Sequence, residues 1–95
     1  MPHTPALDHL AALAGCARGE LWALRAIVEA EGGALNAMVQ RIVGQPASAH
    51  VVLKQALLQV FRDAGRFDPR TGTARGWIFA VVRQQALARR RTLEI

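Results

Sequence analysis

Four side chains in the last third of the chain have the types and spacing to bind a polyanion that carries exposed bases. When the residues are set at about 100° each around a helix, Arg75, Phe79, Arg83 and Arg90 fall within about 80° of one another. Guanidinium groups bind phosphate in a bidentate manner, and an aromatic ring offers a stacking surface worth about 1 to 3 kcal/mol per base. The pattern predicts a nucleic-acid-binding face. The alternative is that Phe79 packs under a neighbouring helix and that the arginines form an ordinary solvated face.

The charge of the chain is distributed unevenly. Residues 1–43 carry three arginines and four acids, a net charge of −1, whereas residues 44–95 carry nine basic and three acidic residues, a net charge of +6. This asymmetry favours a nucleic-acid, acidic-protein or membrane-surface partner. Charge alone does not choose among these partners. No signal-peptide pattern and no apolar run long enough to span a bilayer occurs, so no membrane-spanning segment is expected, and a membrane is not among the expected partners. A single cysteine, Cys16, excludes an internal disulfide and favours a reducing, cytoplasmic location.

The first half of the chain has the hydrophobic spacing of helices. A first helix is expected to begin at Thr4–Pro5 or at Asp8 and to end before Gly19. A second helix is expected to begin near Glu20, and Gly32–Gly33 predicts that it is either one long kinked helix or two helices. The apolar faces are expected to comprise Leu7, Leu10, Ala11 and Ala14 in the first helix, and Leu21, Leu24, Ile27 and Val28 in the second.

The second half has the clearest helical pattern. Pro46 is expected to open a third helix, and after a turn at Pro69–Gly72 either Thr71 or Thr73 caps a fourth. The expected core faces are Ala49, Val52, Leu53, Ala56, Leu57, Val60, Phe61 and Ala64 in the third helix, and Ala74, Ile78, Val81, Gln85 and Ala88 in the fourth. Since no segment alternates as a strand would, the predicted fold class is all-α: a compact bundle of four to five helices. Residues 1–95 are expected to form one domain with flexible ends at 1–7 and 92–95.

The outward face of the third helix is unusually apolar. Val51 and Leu58 are seven residues apart and therefore nearly aligned, and they share this face with His50, Lys54 and Gln55. These five residues are the candidate protein-partner surface. The alternative is that they are isolated surface apolar residues of the ordinary kind.

Catalytic and metal-binding constellations are scarce. The chain has one serine, no tyrosine, and histidines at positions 3, 9 and 50 without a second ligand at metal-binding helical spacing. Glu29 and Glu31 are two residues apart, so on a helix they point away from each other and cannot act as an acid and base pair. We therefore expect neither an enzyme nor a bound metal or cofactor.

The order of motifs in the second half resembles region 2 of the sigma-70 family, specifically the extracytoplasmic-function group of bacterial sigma factors. The resemblance is carried by Phe61-Arg62, Phe67-Asp68-Pro69, Gly72-Thr73-Ala74-Arg75, Trp77-Ile78 and Val82-Arg83. It implies a helical bundle that docks on the clamp helices of RNA polymerase and opens the minus-ten promoter element, capturing a flipped base of the non-template strand.

Carried onto this chain, the resemblance implies that the loop from Gly65 to Gly72 lies at the base pocket and that the fourth helix faces DNA or supports the core. Trp77 is expected to lie in the core. Together with the face analysis, this gives the candidate nucleic-acid-binding residues Arg66, Phe67, Arg70, Arg75, Phe79, Arg83, Gln84 and Arg90.

The chain also departs from the family pattern. Such factors carry acidic residues in the helix that meets the polymerase, but residues 49–55 contain no carboxylate. The usual asparagine of the last helix is Gln84, an expected aspartate is Ala88, and region 4, the second DNA-binding domain, is missing, so the sequence is either a fragment or a complete small protein. The second hypothesis is therefore a degenerate module that binds an anti-sigma factor or another regulator, or that self-associates, without initiating transcription.

Overall fold

The computed structural model describes residues 6–93 as four α-helices joined by short connections. The helices are α1 (His9–Ala17), α2 (Leu21–Val43), α3 (Pro46–Asp63) and α4 (Ala74–Leu93), and a single 3-10 turn (Ala64–Arg66) follows α3. Residues 6–93 contain no strand, and the predicted all-α class is confirmed. Within the same residues, no helix combines the length and the apolar character needed to cross a membrane. The expectations for residues 1–5 and 94–95 lie outside the described residues.

Three of the predicted boundary signals, at Asp8, Pro46 and Thr73, are found where the sequence places them. The Asp8 carboxylate accepts a hydrogen bond from a backbone amide in the first turn of α1. Gly44 ends α2 in the left-handed conformation, with φ of 79°, and Pro46 is the first residue of α3. The hydroxyl oxygen of Thr73 accepts a hydrogen bond of 3.0 Å from the amide of Gly76 and so caps α4. Local chemistry therefore accounts for most of the helix ends.

The core forms around α2, which packs against each of the other three helices. The largest fully buried side chains are Ile27, Leu35 and Val39 from α2, Val60 from α3, and Ile78 and Val82 from α4. Burying each of them contributes about 1.5 to 3 kcal/mol. The Gly32–Gly33 pair does not divide α2, because Ile27 and Leu35 on either side are held in the same core. That packing offsets the roughly 1 kcal/mol by which each glycine weakens a helix.

The buried face of α1 differs from the expected one. Leu10 is 54% exposed, and the core side consists of Ala12, Leu13 and Cys16. The reason is the close approach of α1 to α2 at Gly15, where an added Cβ would lie 2.7 Å from the Cβ of Ala23 on α2. Because that approach fixes which side of α1 faces its neighbour, small residues occupy the interface. Two other expected core residues, Leu21 and Val28 on α2, are also exposed.

Candidate nucleic-acid interface

The rotation of α4 about its axis decides which side chains reach solvent. Its buried residues form a row at four-residue spacing: Ala74, Ile78, Val82 and Ala86. Of the other residues expected in the core, Val81 and Gln85 are half-buried and Ala88 is exposed. At 100° per residue, the buried face is therefore turned by about 60° from the expected one. This rotation of α4 leaves Ala80 and Gln84 exposed on the outer side of the helix.

The loop that precedes α4 is closed by hydrogen bonds of its own. The Asp68 carboxylate accepts one bond of 2.9 Å from the backbone amide of Arg70 and another of 2.9 Å from Nη2 of the same arginine. The hydroxyl of Thr71 donates to the backbone oxygen of Asp68 at 2.8 Å. Phe67 packs against the core, whereas Arg66 and Arg70 are exposed. The loop thus has a defined shape and presents two arginines to solvent.

The Asp68 and Arg70 pair gives a testable pH dependence. Hydrogen bonds from the Arg70 side chain and backbone lower the pKa of the Asp68 carboxyl. A group whose folded pKa is lowered stabilises the fold above its ordinary pKa, about 3.9 for aspartate, and that contribution is lost as the pH falls through the lowered folded value. We expect Arg70→Gln to raise the titration midpoint of Asp68, as measured by NMR of its carboxyl carbon. An unchanged midpoint would mean that the pair does not persist in solution.

An open cavity of about 320 Å³ lies between this loop and the first turns of α4. Its lining residues are Phe67, Thr71, Gly72, Thr73, Gly76, Trp77 and Ala80. The rings of Phe67 and Trp77 have their centroids 6.2 Å apart and are inclined at 60° to each other. The volume lies in the usual range of small-molecule pockets, about 300 to 1,000 Å³. Aromatic walls with two hydroxyl groups suit a flat ring that has apolar faces and polar edges.

A second cluster lies on the side of α4 that meets α2. The guanidinium carbon of Arg75 is 4.2 Å from the centroid of the Phe79 ring, a cation–π contact. Nε of Arg75 also lies 2.7 Å from Oε2 of Glu31 on α2, whose side chain is only 13% exposed. The two atoms are close but not aligned as a hydrogen bond, so the attraction is mainly between the charges. His9 on α1 approaches the other Glu31 oxygen at 3.8 Å.

The predicted nucleic-acid-binding residues therefore fall into two groups. Phe67 lines the cavity, Arg66 and Arg70 lie in or beside its loop, and Gln84 follows Ala80 by one turn on the outer side of α4. The other group, Arg75, Phe79, Arg83 and Arg90, lies along the flank next to it. Phe79 is directed about 160° away from Trp77 around the helix axis, so the structure does not bring it into the cavity.

Sequence reasoning missed several residues of this site. Trp77, expected in the core, packs partly against it and also lines the cavity. Thr73, Gly76 and Ala80 were not singled out as site residues, although small residues four apart beside an aromatic one are a signal of free space on a helix. The sequence pattern around Glu31 suggests only a comparison with Glu29, the neighbouring acid on α2. Nothing in the sequence around Glu31 indicates that it contacts Arg75.

The candidate protein-partner surface shares no residue with the lining of the cavity. Val51 is 49% and Leu58 is 44% exposed, and His50, Lys54 and Gln55 are also exposed. A second groove, of about 350 Å³, runs beside Leu58 between α3 and α4. Burial thus leaves this surface accessible, as expected from the sequence.

Comparison with known proteins identifies the family. The family model for sigma-70 region 2 matches residues 27–94. Over 57 residues the chain is 32% identical to the ECF RNA polymerase sigma factor SigK of Mycobacterium sp. strain KMS, to its namesake from strain JLS, and to the RNA polymerase sigma factor SigK of strain MCS. The match covers 60% of this chain but 30% of each relative, so the matched part spans under a third of their length. No solved structure matches the chain. Since the family model covers well over half of its residues, the chain belongs to the sigma-70 region 2 family.

Proposed function

We propose that this chain is a cytoplasmic sigma region 2 module that binds RNA polymerase core and captures a base of the melted minus-ten promoter element. The observation that carries the proposal is the cavity beside Phe67 and Trp77, which lies at the loop where the family resemblance implies a base pocket. An extruded base brings a π-face and polar edges, and the cavity offers aromatic walls and hydroxyl groups. Shape and chemistry agree at one place.

The hydroxyl groups of the cavity have hydrogen-bonding capacity left for a base. The Thr71 hydroxyl hydrogen is donated to the Asp68 backbone, and its oxygen remains able to accept from an exocyclic amino group. The Thr73 oxygen already accepts from the Gly76 amide, and its hydrogen remains able to donate to a ring nitrogen or a carbonyl. The two hydroxyls therefore offer one acceptor and one donor, which would favour some bases over others.

The exposed arginines near the cavity supply the affinity for phosphate. Arg66 and Arg70 lie in or beside the loop, and Arg83 lies on the adjacent flank of α4. For single strands, each phosphate contact changes the slope of log K against log salt by about −0.7. In our proposal Arg75 contributes less to phosphate binding, because its charge is already neutralised by Glu31. Binding is thus expected to weaken steeply with salt.

Filling the cavity tests the proposal. Ala80 is exposed and lines the cavity, so Ala80→Leu would occupy the space without disturbing the core, and leucine is a good helix former. We expect the affinity for labelled single-stranded DNA of mixed sequence to fall by about 1 to 2 kcal/mol, roughly 5- to 30-fold, because one stacked base is lost. Fluorescence anisotropy at one fixed salt concentration measures the change.

Two comparisons make this experiment specific. Ala88→Leu places the same side chain on another exposed position of α4 and should leave the affinity unchanged. A strand that lacks bases should bind Ala80→Leu and the unsubstituted chain equally, because it offers phosphates alone. If Ala80→Leu binds base-containing DNA as well as the unsubstituted chain does, the cavity is not a base pocket.

A second candidate function is that of a protein-interaction module that binds an anti-sigma factor or another regulator without initiating transcription. The observation that favours it is the pair of exposed aliphatic residues, Val51 and Leu58, on an outward face without carboxylates from residue 49 to 55. Affinity capture with the tagged chain and nuclease-treated host lysate separates the two functions. Recovery of the β and β′ subunits of RNA polymerase supports the first function. Recovery of another regulator without these subunits supports the second.

A further inference from the structure

We propose that the outward face of α3, together with the adjoining edge of α4, binds an acidic amphipathic helix of another protein. This surface, called the α3 face below, comprises Val51, Lys54, Gln55, Leu58 and Arg62 on α3 and Gln85 on α4. The α3 face shares no residue with the lining of the cavity, so the proposal does not depend on DNA capture. It rests on the second candidate function and names the chemistry of the partner.

The apolar part of the α3 face has the spacing of a helix-binding seam. Val51 and Leu58 are two turns apart, about 10.5 Å along the axis, and both are exposed. A second helix lying alongside α3 would place two apolar residues, also seven positions apart, against them. A helix laid along α3 matches this repeat over two turns, so the apolar spacing favours a helix as the occupant.

The polar part of the α3 face consists of glutamine amides and an arginine guanidinium. The groove of about 350 Å³ beside Leu58 is lined by Gln55, Gln59, Arg62 and Gln85. The Gln59 side-chain oxygen accepts a bond of 3.2 Å from Nη2 of Arg62, while its amide nitrogen donates to the Asp63 carboxylate. Gln59 thus holds the Arg62 guanidinium at the edge of the groove. A guanidinium and amide groups converging on one groove suit a carboxylate.

The sign of the charge on the α3 face selects an acidic helix. Lys54, Leu58 and Arg62 follow one another at four-residue spacing and form one ridge, so both cations flank the same apolar residue. Arg89 lies one turn beyond Gln85 on α4 and is exposed. The only acid of α3 is Asp63, and Gln59 donates to it. Acidic residues flanking an apolar seam would meet cations here, and basic ones would be repelled.

A second copy of this chain fits the α3 face poorly. A two-fold dimer would bring the same patch of both copies together, so Lys54 and Arg62 would face Lys54 and Arg62. DNA phosphates would satisfy the cations but would leave Val51 and Leu58 uncovered. An acidic amphipathic helix is the occupant that covers the apolar residues and neutralises the cations together.

Two synthetic helical peptides test the proposal with the full chain. Both carry leucines at seven-residue spacing, and the flanking positions are glutamate in one peptide and lysine in the other. We expect the glutamate peptide, and not the lysine peptide, to shift the backbone NMR signals of residues 51–62 and of Gln85. Lys54→Glu combined with Arg62→Glu should weaken the glutamate peptide roughly tenfold or more and allow the lysine peptide to bind. Leu58→Ser, which keeps both charges, should also weaken the glutamate peptide.

A matched control separates this site from general electrostatics. Arg25→Glu combined with Arg41→Glu makes the same change in net charge on exposed positions of α2. This variant should still bind the glutamate peptide in preference to the lysine peptide. The proposal is overturned if both peptides bind alike, or if the α2 control loses as much affinity as the α3 variant. It is also overturned if single-stranded DNA shifts the same signals, or if they shift with the concentration of the chain alone, which would indicate a second copy.

Discussion

Replacing Leu35 by alanine is expected to lower the free energy of unfolding by about 2 to 5 kcal/mol. Leu35 is fully buried in α2, the helix that packs most extensively against the others, so its truncation leaves a cavity in the centre of the core. A domain of this size has a total stability of roughly 5 to 14 kcal/mol, and the loss is therefore a large fraction of it. Urea unfolding followed by far-ultraviolet circular dichroism measures the change.

The same helix provides the control for this substitution. Leu21 is 71% exposed, so Leu21→Ala removes the same atoms without leaving a cavity, and stability should change by no more than about 0.5 kcal/mol. Equal losses for the two variants would contradict the packing of α2. A loss near zero for Leu35→Ala would mean that α2 is not the centre of the core.

The sequence predicts a helix correctly where local residues mark both of its ends and where one apolar face is clearly periodic. α3 begins at Pro46, after Gly44 has ended α2, and its buried residues recur at i, i+3 and i+4 as predicted. Val51 and Leu58 are exposed for the same reason, since they lie opposite that face. In each case the deciding interactions are local or follow from one strong periodicity.

The candidate site depends instead on the rotation of α4, and that rotation is set by other helices. Small and apolar residues occur all around α4, so its own sequence favours no single core face strongly. The ion pair between Arg75 and Glu31 lies against α2, while the apolar row through Ile78 and Val82 is buried. A contact between residues 44 positions apart cannot be read from local spacing. The cavity beside Trp77 follows from the rotation and was missed for the same reason.

Removing Arg75 is expected to lower the free energy of unfolding more than removing Arg83, an exposed arginine of the same helix. Arg75→Ala leaves the Glu31 carboxylate nearly buried without its cation, and breaking a fully buried pair costs about 3 to 5 kcal/mol. Because the Arg75 side chain is itself half exposed, we expect a loss below that range, about 2 to 3 kcal/mol. Arg83→Ala, two turns later on the same helix and exposed, should change stability by less than about 0.5 kcal/mol. Urea unfolding of both variants gives the comparison.

A double-mutant cycle isolates the pair from the other contacts of Arg75, including its stacking on Phe79. Glu31→Gln removes the charge but keeps the shape, so Arg75→Ala should cost less in the Glu31→Gln background by about 1 kcal/mol or more. Additive losses would mean that the ion pair contributes nothing. DNA affinity, measured under conditions where each variant is fully folded, then separates the roles of the two arginines. If Arg75 mainly neutralises Glu31, Arg83→Ala should weaken the binding of single-stranded DNA more than Arg75→Ala does. The reverse order would place Arg75 in direct contact with the strand and move the DNA path from the cavity toward the Phe79 flank.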